Sequence, residues 1–148
     1  SSYYLEEKKC KELNINLINF PVSSRAAPKK TDVIRASELF KKIEYPALMH
    51  CKSGADRAGL MAALYMIFRK EQPLSKAKKQ LSFKYLHIRQ SKTGILDAFF
   101  DYALESGANR PDSFLKWVKS GYNEELLKKK FTTSYRKLKI IDLLLRRE

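Results

Sequence analysis

Cys51 and Arg57 stand six positions apart in the stretch "HCKSGADRAG", with Gly54 between them. The apolar run "YPALMH" precedes the cysteine and reads as a short strand ending at His50. "AGLMAALYMIFRK" follows and reads as a helix that is apolar nearly all round, hence central and buried. A small-residue turn between two such elements aims backbone N–H groups at one point. The first N–H groups of a helix have no internal partners, and the helix dipole adds positive potential there. A site of that kind binds a phosphate or another oxyanion. Lys52, Ser53, Gly54, Ala55, Asp56 and Arg57 form the candidate cradle, with Gly54 free to take the conformation that closes the loop. The planar fork of Arg57 can hold two oxygens of one phosphoryl group, which lysine cannot do.

Cys51 lies at the lip of the cradle. A free thiol titrates near about 8.5, and positive surroundings at a helix N-terminus lower that value. Cys51 is therefore expected as a thiolate at neutral pH, aimed at a bound phosphorus. Attack would give a cysteinyl-phosphate that water later hydrolyses. His50 is expected to pack behind the cysteine and hydrogen-bond the backbone. Lys52 either adds charge to the pocket or is a solvated side chain. A G-x-x-x-x-G-K-S nucleotide loop is absent from the chain.

The elements that must position this loop follow from periodicity. Residues 3–13 read as a helix with Tyr3, Cys10 and Leu13 on one face. "INLINFPV" (15–22) reads as a buried strand, and 23–30 as a loop punctuated by Pro28. Thr31 is placed as N-cap of a helix running to about Ile43, with Asp32 in its first turn. After a loop at Gln72-Pro73, Leu74, Ala77, Leu81 and Tyr85 mark another amphipathic helix. "GILDAFFDYALESG" is a helix stopped by Gly107, and "PDSFLKWVKSGY", "NEELLKKKF" and "SYRKLKIIDLLLRRE" complete a helical C-terminal half. The expected fold is α/β: a small central sheet flanked by helices, in a single domain over 1–148.

The chain has 148 residues and 44% apolar content, enough for one real core. Thirty Lys and Arg against sixteen Asp and Glu give a net charge of +14, which predicts an anionic partner without choosing among a phosphoester, an acidic membrane and nucleic acid. The interleaved lysines and aromatics of "KQLSFKYLHIRQSK" read as one amphipathic helix with a solvated basic face rather than a nucleic-acid surface. His87, inside that stretch, reads as structural. Two cysteines and two histidines supply neither a disulfide framework nor a zinc site; Cys10 reads as buried filler. A cytoplasmic setting is expected, with the basic surface suited to a membrane face.

"HCKSGADRAG" resembles the signature of the cysteine-dependent protein tyrosine phosphatases, closest to their compact, bacterial dual-specificity-like branch. "EEKKCKELNINLINFPVSSRAAP", "GLMAALYMIFR" and the terminal "LLLRRE" are similar to that branch as well. The resemblance implies an α/β phosphatase fold, no metal or other cofactor, and two-step chemistry through Cys51 and Arg57. It also implies a strand-bearing segment before residue 1. Two departures stand out. Relatives carry Ser or Thr directly after the arginine, to help the thiolate leave; here that residue is Ala58. Many relatives place an acid Asp about thirty residues before the cysteine, where this chain has "NFPVSSRAA". Asp56 is then the candidate general acid, as in relatives with Asp-Arg at the end of the loop. One alternative is that Asp56 only pairs with a basic neighbour or caps the helix; the other is that Asp32 is the acid. Ser23, Ser24 and Arg25 are either pocket rim or plain loop. The expected function is a phosphomonoester hydrolase acting on a phosphorylated protein or small phosphoester. A lipid phosphatase at an anionic membrane and a pseudophosphatase that only binds are the alternatives.

Overall fold

A computed structural model describes the backbone of residues 2–145 and the side chains of 3–135. Seven helices follow one another among the described residues: α1 (Ser2–Glu12), α2 (Lys30–Lys42), α3 (Asp56–Phe68), α4 (Leu74–Ala77), α5 (Ile95–Glu105), α6 (Pro111–Ser120) and α7 (Glu124–Leu145). Single 3-10 turns lie at Lys78–Gln80, Phe83–Tyr85 and Lys92–Gly94.

The expected α/β class is overturned: no strand and no sheet form among the described residues. Residues 15–22 and 46–50 run as irregular chain instead. Their β-branched and apolar residues favour extended backbone, but a strand also needs a neighbour to complete its hydrogen-bond ladder. Neither tract has one here. Phe20 and Val22 still pack against the core, while Ile15 is 56% and Leu48 91% exposed.

α3 sits at the centre, as its composition predicts. Leu60, Met61, Ala63, Leu64 and Ile67 are buried, and α2 and α4 pack against it. Gly59 permits a close approach by the segment after α4. A Cβ there would meet Leu81 Cδ2 at 3.0 Å and the Gln80 carbonyl oxygen at 3.2 Å. The one-residue absence of bulk brings the segment after α4 against the first turn of α3. α5, α6 and the start of α7 close the core with aromatic rings. Phe99 lies 4.9 Å from Tyr122, 5.7 Å from Trp117 and 5.8 Å from Phe114, centroid to centroid. Such edge and tilted pairs add to simple area burial.

Gly107, at φ +77°, ends α5 as expected, and its N–H bonds the Leu104 carbonyl. α2 begins one residue before Thr31, which is not its cap. Instead the Lys30 N–H donates to Glu124 Oε1 at 2.7 Å, so a carboxylate from α7 serves the orphan donor. α7 runs through the two stretches read as separate helices, as far as Leu145; residues 146–148 lie outside the described residues. The expected amphipathic helix from Leu74 to Tyr85 and beyond is broken into short turns. Leu86 adopts left-handed backbone at φ +60°, and the His87 N–H bonds the Ser82 carbonyl at 3.1 Å. That reversal turns His87 inward, and it leaves Phe83 and Leu86 exposed.

Candidate active site

Residues 51–55 form a tight loop that leads into α3. Gly54 takes φ +70°, a conformation that is free of strain only for glycine. Ala55 is buried and Asp56 is the first residue of α3, so the helix starts one residue before the arginine. Lys52, Ser53 and Gly54 are exposed, and Arg57 is half-buried. Among the described residues Arg57 has no carboxylate partner, so its fork is available to a ligand.

Cys51 is half-buried, with a free thiol. Burial raises its pKa, but the balance falls below the ordinary thiol value. The backbone N–H groups of Ser53, Ala58 and Gly54 reach the sulfur, and the charge of Arg57 adds to them. Ser53, Gly54 and Arg57 of the expected cradle, together with the Ala58 amide, thus favour the thiolate of Cys51. A nucleophile among oriented donors can bind a tetrahedral oxyanion and attack its central atom.

A family model for dual-specificity phosphatases, described as "DSP-PTPase phosphatase fused to NAD+ Kinase", matches residues 3–96, well over half of the chain. The chain belongs to that family. It carries a dual-specificity-phosphatase-like domain, and the match spans the whole of the anion loop. Searches of curated proteins and of solved structures return no match.

Within this phosphatase-like domain, Asp56 is the one loop carboxylate, and it is held from the protein side. Its Oδ1 lies 2.7 Å from His87 Nδ1, and His87 Nε2 lies 2.6 Å from Asp97 Oδ2. His87 is 2% and Asp97 9% exposed, whereas Asp56 keeps an open side. Each of the two contacts needs a proton of its own. Either an imidazolium donates to two carboxylates, or a neutral ring donates to one and accepts from the other in its protonated form. The reading of His87 as a merely structural residue of a basic helix did not anticipate this contact. The available signal lay in α5: Asp97 interrupts the buried stripe of Ile95, Leu96, Phe99, Phe100 and Ala103. A carboxylate in such a stripe requires a buried hydrogen-bond partner.

His50 is placed differently from its expected position behind the cysteine. Its ring is exposed, with Nε2 2.6 Å from Glu6 Oε1 on α1. The irregular chain before Cys51 lets the ring swing outward to that carboxylate. Asp32, the alternative acid, lies in the first turn of α2 and faces Arg35 at 3.5 Å. With Ser23, Val33, Leu60 and Met61 it lines a cleft of about 460 Å³, and none of residues 51–57 lines that cleft. Ser23 also accepts from the Arg25 N–H at 3.3 Å, a local turn contact. Cys10 is half-buried on α1 with a free thiol. Among the described residues no group of His, Cys, Asp and Glu is arranged to hold a metal ion. None of the described helices is long and apolar enough to cross a membrane.

Proposed function

We propose that this chain is a phosphomonoester hydrolase of the protein tyrosine and dual-specificity type, working through a cysteinyl-phosphate on Cys51. The reading is supported by the placement of the free Cys51 thiol on a tight loop, closed by Gly54 at φ +70°, that leads into the N-terminus of α3 with Arg57 in its first turn; the loop amides and Arg57 also lower the thiol pKa. Arg57 and the N–H groups of residues 52–57 bind the phosphoryl oxygens. The thiolate forms the S–P bond as the bond to the leaving oxygen breaks. Asp56 gives that oxygen its proton and later takes one from the attacking water. Ala58 in place of a hydroxyl residue slows the second step, because the departing thiolate lacks one hydrogen-bond donor.

Substrates are phosphorylated proteins or small phosphoesters. The net charge of +14 also suits anionic lipid headgroups; the family description names a fused NAD+ kinase, and we add the product of such a kinase, NADP+, to the substrates to be tested. The test is turnover of p-nitrophenyl phosphate in the presence of chelator, by wild type and by Cys51→Ser. Wild type should turn over and release a first equivalent of nitrophenolate rapidly, and Cys51→Ser should be inactive with an unchanged circular dichroism spectrum. Equal activity in the two proteins refutes the mechanism. A panel of phosphotyrosine peptide, phosphoinositide vesicles and NADP+ then ranks the substrate classes. A pseudophosphatase would bind these ligands and turn over none.

A further inference from the structure

We propose that His87 is the positioning residue for proton transfer: Nδ1 holds the carboxyl of Asp56, and Asp97 holds the ring through Nε2. The proposal rests on the reading of Asp56 as the acid and base of a cysteine phosphatase. Three observations support it. First, both ring nitrogens are engaged, at 2.7 Å and 2.6 Å, so the ring can neither flip nor drift. Second, the chain of contacts runs from the interior to the site. Asp97 and His87 are buried, Asp56 is partly open, and Asp56 Oδ2 has no protein partner among the described residues. One carboxyl oxygen is thus fixed while the other is available to substrate. Third, this arrangement has a local cost. Leu86 sits in left-handed backbone, which is unfavourable for a side chain with a Cβ, and two carboxylates lose water. Apolar side chains would fill the same volume with less desolvation, so packing alone does not account for the three polar groups.

The chemistry balances as follows. The Cys51 lone pair forms the S–P bond, and the P–O bond to the leaving group breaks with its electron pair going to oxygen. That oxygen takes the proton from Asp56 Oδ2. The carboxylate left behind is held at Oδ1 by His87 Nδ1–H. In the second step a water oxygen bonds to phosphorus, its proton goes to Asp56 Oδ2, and the S–P pair returns to Cys51. His87 touches neither the phosphorus nor the substrate; it sets the direction and the timing of the Asp56 proton.

The experiment compares a phosphoserine peptide, whose alkoxide leaving group must be protonated, with p-nitrophenyl phosphate, whose phenolate leaves without help. General acid assistance is worth about 100-fold or more to the first substrate. His87→Gln should therefore lower kcat on the phosphoserine peptide by about 100-fold, while KM and the p-nitrophenyl phosphate burst rate stay within about threefold of wild type. Asp97→Asn keeps an amide partner able to accept from or donate to Nε2 and removes the charge. It should cost the peptide about tenfold and the aryl substrate little. Should His87→Gln fail to fold, the Asp97→Asn comparison decides alone. Equal losses on the two substrates, or unchanged peptide turnover, would overturn the positioning role and leave the Cys51 mechanism standing. Wild-type inactivity on both substrates would instead overturn the phosphatase reading, and this role with it.

Discussion

Arg57→Lys separates two jobs that one residue performs. The thiolate of Cys51 is supported by the N–H groups of Ser53, Ala58 and Gly54 ahead of the charge of Arg57. Lysine keeps that charge and leaves the three amides in place. The pH dependence of Cys51 alkylation by iodoacetamide should therefore stay close to wild type, with its midpoint still below that of the unfolded chain. The sign follows from the lowered pKa: the native thiol reacts at pH values where the unfolded thiol is still protonated, and the two converge as pH rises past the ordinary thiol value. Peptide mass spectrometry reads Cys51 separately from Cys10. Phosphoryl binding behaves differently. The guanidinium offers two parallel N–H donors to a phosphoryl group, and an ammonium offers a point charge. Losing one aligned donor at a developing oxyanion costs about 2.7–4 kcal/mol, so kcat should fall by about 100- to 1,000-fold. The pair of assays is steady-state turnover of p-nitrophenyl phosphate and the alkylation profile on the same preparation. Turnover near wild type would refute the placement of Arg57 on the phosphoryl group. A large upward move of the alkylation midpoint would refute the claim that the amides are the main support of the thiolate.

Three further outcomes are expected. Ala58→Thr restores a hydroxyl beside the sulfur and should speed the steady phase that follows the nitrophenolate burst; stopped-flow absorbance on both proteins checks this, and an absent burst with no gain would remove the idea. Asp56→Asn should depress phosphoserine-peptide turnover about 100-fold and p-nitrophenyl phosphate far less; an equal loss on both would assign Asp56 to loop shape and return the acid to Asp32. Tyr122→Phe removes the 2.8 Å bond from the buried hydroxyl to the Pro28 carbonyl, joining the loop before α2 to the turn before α7. It should cost about 1–2 kcal/mol in urea unfolding without changing the m-value. Burial and then Glu124 raise the pKa of Tyr122, so its contribution is lost as pH climbs above the ordinary tyrosine value of 10.0, and the variant should show a flatter alkaline limb of stability.

The loop of Cys51, Gly54 and Arg57 was legible in the sequence because it is local. Cys51, Gly54 and Arg57 fall within one turn and the start of one helix, so spacing along the chain nearly fixes spacing in space. The burial of α3 was legible for the same reason, since a helix apolar on every side has nowhere to go but the centre. The strands were not. Residues 15–22 and 46–50 carry the composition of strands, but composition specifies only an extended backbone, and the ladder depends on a neighbour that the described residues do not supply. Nor was the contact of His87 with Asp56 and Asp97 legible. His87 lies 31 residues from Asp56 and 10 from Asp97. The groups meet across the fold, with the left-handed turn at Leu86 just before His87 and the close approach of Gln80 and Leu81 to Gly59 in the same tract. The sequence by itself determined a cysteine and an arginine six positions apart on a tight loop before a buried helix, the proposed anion cradle. Tertiary packing decided which carboxyl group is held beside that cradle, because a hydrogen bond between distant residues depends on how helices meet and not on any pattern within one of them.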